Sequence, residues 1–467
     1  MSNILVYCSI EESGKKVNMP VVMAPWLTEL EHFSDDLSLV HSYDIVEKLG
    51  QLNYISKDQL TEFRKIIRTA RNDTKIFHRE EAKSAVLLKL AYEITIEQFL
   101  EALLRSKYHV LVLKLMSNCR KGILRLVVRK VEPGPGFKQA QELYLKTKIN
   151  THKNIFKVNP TEACRNIYDS NKLKFEDCQQ KLKIETDEEE KGNLKQNLMK
   201  YANICVSCLF AALDAEITRW NIDFDWDECT VSSRNELARL FHQLTGYIKE
   251  TPNPNIAEVG FFSRLAIAYA MTGQLAKAEG YIETAFTLSF SIPRCSELYF
   301  MYHMFVMILL FKYQKNKSGM GKLVCIAEEA RSCLQQENDD SIRYFWTRMI
   351  LLRKVFCLIG LGNNMELIKG YTPSQEQIDE AKEILVEICD MGDMESRREM
   401  FFFTAKARIA QLEGDLESAI FCTELAIDCD EYRCFGETEQ VQKYREQLRN
   451  LVTKTQCGNQ QDIRIEN

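Results

Sequence analysis

The stretch Phe262–Phe290, FSRLAIAYAMTGQLAKAEGYIETAFTLSF, decides the fold. Its spacing predicts two amphipathic helices joined by a tight turn at Thr272-Gly273-Gln274. Small residues, Ala266 and Ala270 on the first helix and Ala278 and Ala285 on the second, stand where two backbones must approach closely. Leu265, Tyr269, Leu275 and Ile282 supply larger apolar groups at helical spacing and fill the space between them. A single hairpin of this kind leaves an apolar face uncovered, so neighbouring hairpins are predicted.

Leu265, Ala266, Tyr269, Gly273, Ala278 and Ala285 together resemble the tetratricopeptide (TPR) repeat, a helical hairpin of roughly 34 residues. The pattern returns as Ala407, Ala410, Gly414, Ala419 and Ala426. From Ala278 to Ala419 is 141 residues, close to four repeats of about 34–36 residues. Between them, Glu297–Gln314 pairs with Lys322–Gln335, and Ile342–Ile359 pairs with Gln375–Asp390 across an inserted loop, Gly360–Ser374. Ala381, Leu385 and Ile388 take the small and apolar places of that second helix. Leu194–Trp220 and Asn235–Ile248 form a degenerate hairpin ahead of the array, and Thr438–Val452 caps its end. TPR domains that clamp a C-terminal carboxylate place Lys and Asn on the first helix; Ser263 and Ile267 stand there instead, which argues against that ligand.

Nearer the N-terminus, six short helical patterns follow one another from Trp26 to Met116. They are Trp26–Val40, Tyr43–Leu52, a helix capped at Ser56 that uses Leu60, Phe63, Ile66 and Ile67, Glu80–Tyr92, a helix capped at Thr95, and Tyr108–Met116. DIVEKLGQLNYISKDQLTEF, EEAKSAVLLKLAY and TIEQFLEALLRSKYHVLVLKL resemble the caspase-recruitment domain of the death-fold superfamily. The resemblance implies a six-helix bundle that associates with like domains, in apoptosis or innate-immune signalling. Arg120–Val131 is basic and reads as an exposed extension, and Pro133-Gly134-Pro135-Gly136 marks the strongest boundary. The expected organisation is an N-terminal segment 1–25 without recognisable pattern, a bundle 26–131, a polar helical linker 132–195, a TPR-like α-solenoid 196–455 and a tail 456–467. The fold class is all-α.

Composition agrees with a globular chain: 45% hydrophobic and 27% charged residues exclude a disordered one. A net charge of −5 gives no global reason to expect nucleic acid or an anionic membrane as partner. The 16 cysteines lie scattered through apolar helical positions, and MSNILVYCSIEESGKK shows no secretory signal, so an intracellular, cytoplasmic setting is expected. The apolar run Tyr299–Phe311 falls short of a membrane span and reads as a buried helix.

Chemistry-bearing motifs are incomplete. Cys205-Val206-Ser207-Cys208 lacks a second ligand pair and reads as buried structural thiols. Gly319-Met320-Gly321-Lys322 fails as a phosphate loop, since Asn316 and Leu323 occupy its outer positions. Asp223, Asp225, Asp227 and Glu228 lack the glycine and terminal glutamate of a calcium loop. No Q-A-C-x-G nucleophile motif is present, and the 7 histidines are dispersed. No catalytic residue, cofactor or metal is expected.

The electrostatic feature singled out lies in the bundle. Residues 26–48 carry Glu29, Glu31, Asp35, Asp36, Asp44 and Glu47 against Lys48, while the third predicted helix carries Arg64, Lys65, Arg68 and Arg71 behind Lys57. The resemblance implies head-to-tail pairing of acidic and basic faces. The chain departs from the family's usual arrangement, because its first helix is acidic and its third basic. The expected partners are proteins carrying a like domain, or further copies of this chain, and a protein or peptide in the solenoid groove. RNA binding of the interferon-induced TPR kind and a purely structural scaffold are the alternatives.

Overall fold

The structure, a computed structural model, describes residues 5–12, 15–22, 42–72, 134–154, 160–217, 235–289, 292–317, 319–431 and 435–465, with single positions between 90 and 108. The chain divides into two compact units, residues 1–127 and 128–467. The described residues are almost wholly helical. The exception is an antiparallel hairpin of β1 (Leu5–Glu12) and β2 (Lys15–Val22), in register from Leu5 opposite Val22 to Glu12 opposite Lys15. It falls where no pattern was expected. The turn signal was Ser13-Gly14 between two runs of mixed polarity.

In the first unit, α1 (Ser42–Gln51) buries Ile45, Val46 and Leu49, and α2 (Lys57–Asn72) buries Phe63. The cap expected at Ser56 forms reciprocally: Ser56 Oγ accepts from the Gln59 N–H at 3.2 Å, and Gln59 Oε1 accepts from the Ser56 N–H at 2.6 Å. Leu90, Phe99, Ala102 and Leu103 are also buried. The predicted helix Trp26–Val40, most of Glu80–Tyr92, most of Tyr108–Met116 and the basic stretch Arg120–Val131 lie outside the described residues.

The second unit opens with α3 (Phe137–Asn154) and α4 (Pro160–Ile184), in the segment expected to be a linker. Then come α5 (Glu188–Ile217), α6 (Glu236–Ile248), α7 (Pro254–Met271), α8 (Leu275–Ser289), α9 (Ser296–Asn316) and α10 (Met320–Leu334). The chain continues with α11 (Asp340–Ile359), α12 (Gln375–Asp390), α13 (Ser396–Leu412), α14 (Leu416–Asp428) and α15 (Thr438–Ile465). The acidic run at Glu188–Glu190 is the first turn of α5, where carboxylates meet the positive end of the helix dipole. By length and composition α5 is apolar enough to cross a membrane, but 72% of its apolar window is buried inside the unit.

Helices α5, α7, α9, α11 and α13 pack each on the next, and α6, α8, α10, α12 and α14 flank them. Helix α3 packs on both α5 and α13, the two ends of that row. Five helices side by side at about 8–10 Å spacing would span roughly 32–40 Å if flat. A short stretch of α3, residues 141–148, meets Asp214 of α5, Arg264 of α7, Glu297 of α9 and Trp346 of α11, so the row curls around it. The inner face is therefore covered in part by the chain's own residues 137–154, which sequence reading had left outside the array.

The quoted hairpin forms as α7 and α8. Ala266, Ala270, Ala278, Ala285, Tyr269 and Ile282 are all buried, and Gly273 turns the chain at φ +80°. Gly414 does the same at +85° between α13 and α14. Both glycines have open space where a Cβ would stand, so their requirement is backbone conformation alone. The second helices instead need small side chains: Ala278 and Ala419 are 0% exposed. Replacing Ala278 by Leu should overpack the α7–α8 contact and lower unfolding free energy by about 1–3 kcal/mol. Leu at the neighbouring exposed Ala276 should leave it within about 0.5 kcal/mol. Chemical denaturation of both variants measures the difference.

Candidate ligand cavity

Polar residues of α3, which made the segment look like a linker, are what fasten it inside the array. Tyr144 donates to Asp214 Oδ2 of α5 at 2.7 Å, and Lys148 Nζ reaches the same oxygen at 2.5 Å. Arg264 of α7, wholly buried, lies 2.8 Å from Asp214 Oδ1 through Nε and donates from Nη2 to the Tyr144 hydroxyl at 2.9 Å. The Arg264 guanidinium sits between the rings of Phe210 and Phe300, 3.9 Å from each centroid. Gly260 allows this sandwich, because a Cβ there would stand 2.4 Å from the Phe210 ring. One turn earlier on α3, Gln141 accepts from the Ser296 N–H at 2.8 Å and donates to Glu297 at 2.6 Å, fixing the start of α9.

Beside this cluster lies a cavity of about 70 Å³, bordered by Lys148, Asp214, His303, Arg353, Arg397 and Arg398 and, on its apolar side, by Ile267, Phe300, Met304 and Met349. Buried Ile217 and half-buried Met271 and Met307 complete its lining. The arginines come from two helices. Arg353 of α11 donates from Nη1 to the Asn363 carbonyl at 2.7 Å, and Asn363 itself donates to the Met307 carbonyl at 2.8 Å. The inserted loop Gly360–Ser374 thus positions a cation. Arg397 and Arg398 open α13, and Arg397 pairs with Glu437 ahead of α15. All three guanidiniums surround one ring: their Cζ atoms lie 4.7, 5.7 and 5.1 Å from the Phe401 centroid for Arg353, Arg397 and Arg398.

Charge here is unbalanced. Lys148, Arg264, Arg353, Arg397 and Arg398 outnumber Asp214 and Glu437, the carboxylates that pair with members of the group, and also the buried Glu297 and Glu395, which attract Arg264 and Arg398 without an ion-pair contact. Arg353 and Arg398 have no ion pair among the described residues, and Arg398 Nε and Nη1 and Arg353 Nε are buried without a hydrogen-bond partner. Burial, then repulsion from Arg398 for the one and Arg397 for the other, pulls both guanidiniums down to about 9, still protonated at neutral pH. Burial chiefly, with Asp214 opposing it, brings Lys148 down to about 8. His303 reports the same field: burial, then Arg398, Arg353, Lys148 and Arg397, hold it well below its usual range, and neither ring nitrogen has a partner. Such a cavity can hold an anion.

Of the residues singled out from sequence, Glu29, Glu31, Asp35 and Asp36 lie outside the described residues, and Arg68 and Arg71 are on α2 with side chains that are not described. Lys57 and Lys65 are exposed. Arg64 is instead engaged within its own unit, donating from Nε and Nη2 to the two carboxylate oxygens of Glu47 at 2.5 and 2.6 Å. Cys205 and Cys208 are buried in α5, and burial pushes the Cys205 thiol up to about 12. Lys322 of the glycine-rich stretch pairs with Glu283 at 3.3 Å. Among the described residues no group of His, Cys, Asp or Glu is arranged to hold a metal. The cavity residues were missed. Their signal was a charge set in an apolar helical face: Asp214 in FAALDAEI, Arg264 in FFSRLAIA, Arg353 in MILLRKVF.

Comparison with family models, curated proteins and solved structures finds no match for this chain.

Asp214→Asn would leave Lys148 and Arg264 buried without their shared counter-charge, and should lower unfolding free energy by about 3–5 kcal/mol. Tyr144→Phe should cost about 1 kcal/mol. Lys148 has a second signature. Its folded-state value of about 8 lies below the usual 10.5, so between those values the unfolded chain holds the extra proton. Stability contributed by this group therefore rises with pH across that window. Denaturation of wild type and Lys148→Met at pH 7.5 and pH 10 should show wild type gaining relative to the variant; an unchanged difference would contradict the assignment.

Proposed function

We propose that the chain is a non-enzymatic signalling adaptor, with a recruitment unit at its N-terminus and a TPR-like solenoid that binds an anionic partner group in its interior. The binding half is carried by one observation, the cavity whose buried cations outnumber the carboxylates that pair with them. Because α3 covers part of the inner face, the cationic cavity is a stronger candidate for binding than an open peptide groove. In the recruitment half, the caspase-recruitment resemblance supplies a six-helix death-fold bundle that gathers proteins with a like domain, including copies of itself. Exposed Lys57 and Lys65 on α2 support a charged docking face there. Arg64 contributes less to that face than sequence suggested, since Glu47 of the same unit holds it. Such an adaptor belongs in cytoplasmic apoptotic or innate-immune signalling.

RNA binding is a second reading, supported by the gathering of cations and not by the size of the cavity. The objection drawn from a net charge of −5 loses force once several cations are gathered inside one unit.

Recruitment through charged faces is tested on the full chain by light scattering at rising salt. Large species are expected at low ionic strength and should dissociate as the Debye length falls from about 30 Å to about 3 Å. The Lys57→Glu, Lys65→Glu double variant should lose them. A wild-type chain that stays monomeric throughout, or a variant that associates equally, would contradict the recruitment half.

A further inference from the structure

We infer that the interior cavity of residues 134–465 is a binding site for the phosphoryl group of a small organic phosphate, with Arg353, Arg397 and Arg398 as its principal donors and Lys148 as the cation opposite. This rests on the proposal that the interior binds an anionic group, and names its chemistry.

Three observations carry it. First, the donors are built in. Arg353, Arg397 and Arg398 are 3%, 6% and 3% exposed, and the Phe401 ring and the Asn363 carbonyl hold them in place. Arg398 borders the cavity, and its Nε and Nη1 are buried with no hydrogen-bond partner among the described residues. A buried charge without a contacting partner is strongly destabilising. Glu437 attracts both Arg353 and Arg398, and Glu395 attracts Arg398, without an ion-pair contact to either; a ligand in the cavity they border would complete the neutralisation.

Second, the stoichiometry of charge favours phosphate over carboxylate. A carboxylate brings one charge and two oxygens in a plane. A phosphoryl group brings up to two charges and three oxygens spread in space, which suits guanidiniums arriving from α11 and from the first turn of α13. Asp214 keeps the remaining cations, Lys148 and Arg264, oriented.

Third, size and lining select a small molecule. About 70 Å³ admits a group of a few heavy atoms. The apolar side, with Ile267, Phe300, Met304 and Met349, continues to half-buried Met271 and Met307 and can cover the organic part next to the phosphoryl head.

The test uses the full chain, with inorganic phosphate, pyrophosphate, acetate and citrate as probes at constant ionic strength, read by thermal unfolding and by calorimetric titration. Phosphate or pyrophosphate should raise the melting temperature in a saturable way, with acetate and citrate at least about tenfold weaker. Arg398→Met and Arg353→Met should remove the phosphate-dependent shift while melting at or above the wild-type temperature without ligand. Should a Met variant fail to fold, Arg398→Lys, which keeps the charge but loses the planar fork, should still weaken phosphate binding about tenfold or more. Exposed Lys443→Met should behave as wild type. A carboxylate-only response would overturn the phosphoryl assignment and leave the anionic-interior proposal standing. An RNA oligonucleotide bound where neither phosphate nor pyrophosphate binds would also overturn it. No anion-specific shift, or one unchanged in the arginine variants, would overturn both.

Discussion

Asp214 is the carboxylate on which the second unit closes. Its two oxygens are shared by Lys148 and Tyr144 of α3 and Arg264 of α7, so one acidic side chain ties an inserted helix to successive members of the row. The tie is expensive to make: each partner is buried, and desolvation opposes the ionisation that coulombic attraction and hydrogen bonds favour. Ionisation wins, because Arg264 and Lys148 hold Asp214 below the usual carboxylate range against burial. Once α3 is fixed in this way, Lys148 stands 4.7 Å from the Phe300 centroid and 5.7 Å from that of Trp346, and reaches helices well separated in sequence. The curl of the array and the position of its cavity follow from that anchor.

The cations left over are a different matter. Asp214 neutralises part of the interior and Glu437 neutralises Arg397, while Arg353 and Arg398 are held by a backbone carbonyl and an aromatic ring. Neither support cancels charge; Glu437 attracts both guanidiniums, and Glu395 attracts Arg398, without an ion-pair contact. Hydrophobic packing alone would place Leu or Met at both positions and gain stability, as the surrounding Met304 and Met349 illustrate. Retained buried charge at the edge of a cavity is the pattern expected where stability has been given up for binding.

Much of the second unit was legible in advance. Ala266, Ala278, Ala407 and Ala419 announce close helix contacts, and Gly273 and Gly414 announce turns, because sterics at those places admit few alternatives. Helix α3 was not legible as part of the array. Gln141, Tyr144 and Lys148 look like the surface of a linker until their partners 156, 70 and 66 residues away are known. Arg353 was hidden for a related reason: its position depends on the inserted loop, and a loop's path is not encoded in hydrophobic period. The strands β1 and β2 were passed over because their residues alternate weakly and Pro20 lies in the second. Overall composition concealed the cavity too, since a net charge of −5 averages over the whole chain and does not show where cations gather.

Whether those interior cations form an anion site is decided most directly by anomalous diffraction from crystals of the full chain grown with arsenate, which matches phosphate in shape and charge. The account predicts an arsenic peak inside the second unit within roughly 4 Å of guanidinium nitrogens of Arg353 and Arg398. Full occupancy elsewhere with no peak in that cavity would contradict it.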